Sequence, residues 1–168
     1  MLFVDASASI FQQSISPFGP QTADNDYASA NRSEVKTWQI SPYLLNRFGR
    51  VAVSELRYRR DHVDAGNSGL SRTDGDTLSL RISNGTAWDD LGWNLRASQQ
   101  EIRDPVRNDS TVRNASLNLT YQLRSTLRLL AGVAYDDYDY QAIGGATGGS
   151  GWDAGARWTP SRRTSVSA

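Results

Sequence analysis

Asn114-Ala115-Ser116-Leu117-Asn118-Leu119-Thr120-Tyr121-Gln122-Leu123 is the stretch that decides the fold. Ala115, Leu117, Leu119, Tyr121 and Leu123 alternate strictly with Asn114, Ser116, Asn118, Thr120 and Gln122. Successive side chains of a β-strand point to opposite faces, so this segment has one apolar and one polar face. A helix of the same sequence would mix the two sets on every side.

The same alternation recurs in both directions. Leu91, Trp93, Leu95 and Ala97 oppose Gly92, Asn94, Arg96 and Ser98, and Leu127, Leu129, Ala131, Val133 and Tyr135 oppose Arg128, Gly132, Ala134 and Asp136. Trp152, Ala154, Ala156 and Trp158 oppose Asp153, Gly155 and Arg157. Upstream, Leu78, Leu80 and Ile82 oppose Ser79, Arg81 and Ser83, while Leu56 and Tyr58 oppose Glu55, Arg57 and Arg59. Trp38, Ile40, Pro42 and Leu44 oppose Thr37, Gln39, Ser41 and Tyr43, and Val4, Ala6, Ala8 and Ile10 oppose Asp5, Ser7 and Ser9. These amount to about eight strands of roughly 10 residues, the length a tilted strand needs to cross a bilayer. Pro42 cannot donate to a ladder and is expected at a strand-end bulge before the Asn46 turn.

Connection lengths alternate too. Short ones are expected at Asn46–Arg50, Asn84–Asp90, Leu123–Thr126 and Thr159–Arg163. Long ones are expected at Ser16–Glu34, Asp64–Gly75, Arg103–Ser110 and Asp139–Gly149. Short turns on one side and long loops on the other are the habit of outer-membrane barrels. The expected fold is therefore an all-β, antiparallel up-and-down meander of about eight to nine strands, forming all or part of a transmembrane β-barrel. Residues 1–168 read as one domain. Thr164-Ser165-Val166-Ser167-Ala168 reads as the start of a further strand, so the expectation is a piece of a larger barrel.

Composition narrows the function. The 168 residues carry 18 basic and 18 acidic side chains, and this balance gives no basic face for nucleic acid. With no cysteine and a single histidine, His62, neither a thiolate nor a multi-histidine metal site exists. No cofactor is expected. No apolar run approaches the ~18 residues of a transmembrane helix.

Several groups are candidates for function. Trp38, Tyr58, Tyr135 and Trp152 lie near the long-loop ends of the apolar face, and Trp93, Tyr121 and Trp158 near the short-turn ends. Two aromatic belts at the two membrane interfaces would account for this. The polar face carries Glu55, Arg57, Arg81, Arg96, Arg128 and Arg157, together with Arg59, Asp5, Asp136 and Asp153. These residues are expected to line the barrel lumen. They could favour anionic solutes, or form an ion-pair network that fills a narrow barrel, and the interleaved carboxylates favour the network. The run Asp136-Asp137-Tyr138-Asp139-Tyr140 lacks the ligand spacing of a calcium loop and reads as a solvated strand end. His62 has Asp61 and Asp64 nearby, but no nucleophile motif accompanies it, so the chain is expected not to be an enzyme. The Asn-x-Ser/Thr triplets are what an Asn- and Ser-rich chain contains by chance.

Five short motifs occur in order: Ser14-Ile15-Ser16-Pro17-Phe18-Gly19-Pro20, Ile40-Ser41-Pro42-Tyr43-Leu44, Glu55-Leu56-Arg57-Tyr58, Leu91-Gly92-Trp93-Asn94-Leu95 and Gly151-Trp152-Asp153-Ala154-Gly155. With Trp158-Thr159-Pro160-Ser161 they resemble the outer-membrane β-barrels associated with the PEP-CTERM/exosortase system. The resemblance implies a place in the bacterial outer membrane and a channel or scaffold role in envelope or exopolysaccharide export. Its implied partners are outer-membrane lipid and polysaccharide or export machinery. It implies no catalytic residues. The competing expectations are a soluble β-barrel or β-sandwich binding module and a membrane-barrel enzyme acting on lipid. The alternation alone fits an apolar face turned either inward or outward.

Overall fold

The computed structural model describes residues 1–14, 32–64, 72–104, 109–140, 145–161 and 164–167. The described residues form nine strands and no helix: β1 (Leu2–Ser14), β2 (Arg32–Phe48), β3 (Ala52–Asp64), β4 (Thr73–Asn84), β5 (Leu91–Arg103), β6 (Ser110–Arg124), β7 (Leu127–Tyr140), β8 (Gly145–Ser161) and β9 (Thr164–Ser167). They lie in one sheet in chain order, each antiparallel to the next. The meander is the expected fold class.

The strands are longer than the sequence pattern indicated. β1 to β8 run from 12 to 17 residues. Thr73–Gly75, Asp139–Tyr140 and Gly145–Gly149, expected in loops, belong to the ladder. Backbone pairing continues there after the apolar pattern has stopped. Residues 32–34, Asp64, Arg103 and Ser110 are strand residues too, and residues 16–31, 65–71, 105–108, 141–144 and 162–163 of the expected loops lie outside the described residues.

Two short connections are built by backbone geometry. Gly49 takes the left-handed conformation (φ 55°) and Val51 N–H donates to Phe48 O at 3.0 Å, closing the β2–β3 turn. The β4–β5 connection packs on that turn. Gly85 N–H reaches Val51 O at 2.8 Å, and a Cβ at Gly85 would stand 2.3 Å from Arg50 O. Trp88 Nε1–H also donates to Val51 O, at 2.9 Å.

Pro42 is not at a strand-end bulge. It sits inside β2 with the register unshifted: Ile40 still faces Arg60 and Tyr43 still faces Arg57. Only the β3-side pairs of Ser41 and Pro42 are lost, while Val4 still faces Pro42 across from β1. The missing N–H therefore faces β3, and the strand tolerates it because its other ladder is intact.

Strands β2 and β3 have an inverted burial pattern. Along β2, Trp38, Ile40 and Leu44 are exposed, whereas Thr37, Gln39 and Tyr43 are half-buried and Ser41 is 0% exposed. Along β3, Leu56 and Tyr58 are exposed while Arg57 and Arg59 are half-buried. Trp152 of β8 is 81% exposed. Val35 and Ala52 are the buried hydrophobics among the described residues, too few for a core. A soluble barrel or sandwich covers its apolar face. Along β2 and β3 the polar face is the more enclosed one, the reverse of that arrangement, whereas Arg81, Arg96, Arg128 and Arg157 further along the sheet are exposed and Leu80, Leu95 and Leu117 half-buried.

Candidate functional site

Register turns the two faces into maps. On the apolar face, one hydrogen-bonded row runs Ala6, Ile40, Arg60, Asp76, Glu101, Thr111, Asp139. A lower row runs Asn46, Ser54, Ile82, Leu95, Leu117, Val133, Trp152. The first is apolar on β1–β2 and, apart from the polar Thr111, charged from β3 onward. The second is polar on β2–β3 and apolar from β4 onward. The apolar residues thus form a band that crosses the rows obliquely. A flat hydrocarbon slab cuts a sheet of tilted strands along such a line, because tilt makes level residues slip in register from strand to strand.

Leu80, Leu95, Leu117, Leu119, Leu129 and Val133 lie within this band. Trp38, Tyr58, Tyr135 and Trp152 stand at its long-loop limit, and Trp93, Tyr121 and Trp158 towards its short-turn limit. Polar partners meet the aromatics at the upper limit. Tyr58 Oη–H donates to Asp76, and the Trp38 ring stacks on His62 at 5.4 Å.

Beyond the band, the same face becomes charged, which the sequence analysis missed. Arg103 Nη1 pairs with Asp76 Oδ2 at 3.1 Å, and Arg113 Nη1 with Asp137 Oδ2 at 3.1 Å. His62 Nδ1–H donates to Asp74 Oδ1 at 2.7 Å, and Arg72 Nε lies 3.3 Å from Asp74 Oδ2. His62 therefore contacts Asp74 across the β3–β4 pair, rather than the Asp61 and Asp64 beside it in sequence. The His62 hydrogen bond, with Arg72 as a smaller cause, holds the Asp74 carboxyl below the usual carboxylate range.

A stability consequence follows from that depressed value. The unfolded chain binds a proton at Asp74 more readily than the folded one. Its contribution is complete above the ordinary carboxylate value of about 3.9 and is lost as pH falls through the lower folded value. Urea unfolding between neutral and strongly acidic pH should show wild type losing its advantage over Asp74→Asn below about pH 4. A pH-independent difference between the two would remove Asp74 from the account.

The polar face carries the arginines, and they fall into two groups: Arg57 and Arg59 are half-buried, and Arg81, Arg96, Arg128 and Arg157 are exposed. Arg57 is fully engaged: Nη1 donates to Asp5 Oδ2 at 2.8 Å and to Ser41 Oγ at 3.1 Å, and Nε to Glu55 Oε1 at 3.0 Å. Its guanidinium also lies 3.9 Å over the Tyr43 ring, which stacks on Phe3 at 5.1 Å. Arg59 Nε pairs with Asp61 Oδ2 at 2.9 Å. This part of the face is the ion-pair network, spanning β1 to β3.

The second group is unlike it. Arg81 faces Arg96 across β4–β5, and Arg128 faces Arg157 across β7–β8. None of the four forms an ion pair with a described residue. Like charges directly opposite are destabilising in a sheet, and water or an anion relieves them. Arg81 and Arg96 border a hollow of about 190 Å³ with Glu55, Ser79, Ser98 and Asn114. Among the described residues no cluster of His, Cys, Asp and Glu could hold a metal.

No family model matches the chain, and no curated protein matches it by sequence. Two solved structures are similar to it. Both are OmpT, an outer membrane protein of Vibrio cholerae. The loop L8 deletion mutant has a TM-score of 0.59 at 18% identity, covering 94% of this chain and 49% of that one. The in-vitro folded trimer form has a TM-score of 0.57 at 16% identity, covering 94% and 51%. The chain thus spans about half the length of either structure. Its fold is that of an outer-membrane β-barrel wall.

This likeness also overturns the expectation that the chain is no enzyme. That expectation leaned on the absence of a nucleophile motif around His62. The similarity to the OmpT structures assigns a fold, and a fold of this kind carries more than one activity.

Proposed function

We propose that this chain forms part of the wall of an outer-membrane β-barrel whose arginine-bearing face lines a water-filled passage for anionic solutes. One observation carries the reading: the apolar residues form an oblique band on one face of the sheet, and the arginines share the other face, which is the more enclosed one along β2 and β3. Lipid satisfies the first, and water the second. Unpaired Arg81, Arg96, Arg128 and Arg157 bias the passage towards anions.

The barrel we infer is larger than the nine strands. Among the described residues β1 has a partner on one side only, along its whole length. Lipid offers its free ladder groups no hydrogen bonds, so a further strand is required beside it. The half-length coverage of the OmpT structures accords with this. A role in exopolysaccharide or envelope export, with polysaccharide or export machinery as partner, is supported by the resemblance of the strand motifs to the PEP-CTERM-associated barrels.

Planar-bilayer recording of the complete barrel tests the passage. Under a potassium chloride gradient the reversal potential should report anion preference, and Arg81→Glu with Arg96→Glu should turn it towards cations. Cation preference in the unaltered protein, or no conductance, defeats the channel reading.

A further inference from the structure

The short-turn end of the polar face holds a second feature that conduction does not require. Arg128 and Arg157 are direct cross-strand partners, so their Cβ atoms are about 5 Å apart and both charges share one small region. Around them is a recess of about 340 Å³, lined also by Gln122, Thr126, Thr159 and Ser165. Among the described residues no carboxylate lines it. Asp153, on the same face of β8, leans over Gly132 instead, its Oδ1 2.3 Å from where a Cβ there would stand.

Arg128 is oriented rather than loose. Gln122 is fixed by its side-chain NH₂, which donates to Arg124 O and, at 3.5 Å, to Leu127 O. Its Oε1 accepts from Arg128 Nε at 3.0 Å. That bond uses the inner nitrogen of Arg128 and leaves both terminal nitrogens for a ligand. Thr159 N–H donates to Thr126 O at 2.8 Å, which ties together the segments bearing two of the hydroxyls.

We propose that Arg128 and Arg157 form a binding site for a water-soluble phosphate-type oxyanion. Two guanidinium forks and several hydroxyls offer more donors than a carboxylate can accept, and a tetrahedral dianion matches them. A bridging dianion also removes the repulsion between the two arginines. The site lies on the face opposite the apolar band, so a free phosphate rather than a lipid headgroup reaches it. The proposal rests on the polar face being wet, as in the passage reading, but not on conduction.

Titration calorimetry of the chain in detergent micelles, with inorganic phosphate in chloride buffer, tests it without a bilayer. Saturable binding is expected. Arg128→Gln and Arg157→Gln should each weaken it about tenfold, the loss of one charge-assisted fork, and Arg113→Gln, on the opposite face, should not. If a Gln variant fails to fold, Arg128→Lys and Arg157→Lys keep the charge, lose the fork and should weaken binding several-fold. No saturable binding overturns the site, as does equal weakening by Arg113→Gln. Phosphate binding that survives both arginine changes does so too. Failure of conductance alone leaves this result standing, and the reverse also holds.

Discussion

Replacing Leu117 with arginine should cost the folded protein about 2–4 kcal/mol, the penalty for a cation at the bilayer midplane on a barrel's lipid face. Leu117 has apolar neighbours on both sides in its row, Leu95 and Val133, and lies at mid-height in the oblique band. Its chain neighbour Asn118 points to the other, polar face, opposite Asn94 and Gly132. Asn118→Arg should therefore cost well under about 1 kcal/mol in a wet interior. Urea unfolding from phospholipid vesicles, followed by tryptophan fluorescence, measures both. Equal costs, or a harmless Leu117→Arg, would place the apolar face in water.

Arg57→Met should cost about 1–3 kcal/mol for a different reason. Arg57 gathers an acceptor from each of three strands: Asp5 of β1, Ser41 of β2 and Glu55 of β3. Methionine keeps the stem but leaves two carboxylates facing each other and the fully buried Ser41 hydroxyl without this partner. The Arg57 side chain is 28% exposed and Asp5 57%, so water softens the loss and the lower half of that range is expected. A double-mutant cycle separates causes. Glu55→Gln should destabilise the native protein yet recover part of the loss in the Arg57→Met background, since it removes the carboxylate repulsion. A single-variant loss below about 0.5 kcal/mol would mean the cluster does not hold β1 to β3 together.

Much of the sheet was legible in the sequence because period two is a local signal. Asn114–Leu123 alone fixed a strand and its two faces. Strand ends were not legible. Thr73-Asp74-Gly75-Asp76 has turn-like composition, yet it pairs with Val63, His62, Asp61 and Arg60. Its Asp residues serve ion pairs above the apolar band, and local propensity carries no trace of those distant partners. Nor could alternation say which face is enclosed, since a soluble barrel and a membrane barrel differ only in what lies outside.

The candidate site was half legible for the same reason. Parity placed Asp5, Glu55, Arg57, Arg81, Arg96, Arg128 and Arg157 on one face. Which of them meet depends on register. The β2–β3 turn at Gly49 sets Tyr43 opposite Arg57, so that contact lay within reach of the sequence. Asp5 opposite Ser41, and Arg128 opposite Arg157, depend on connections whose length does not fix a register.

Every strand in this sheet touches only the strands next to it in the chain. Each contact can then form as a hairpin, with the loop-closure entropy of one connection and no wait for distant segments to meet. Assembly becomes a zipper, in which each new strand finds a finished edge to pair with. Damage in one strand is likewise confined. An error in β6 is felt by β5 and β7, while the Arg57 cluster on β1 to β3 keeps all of its bonds.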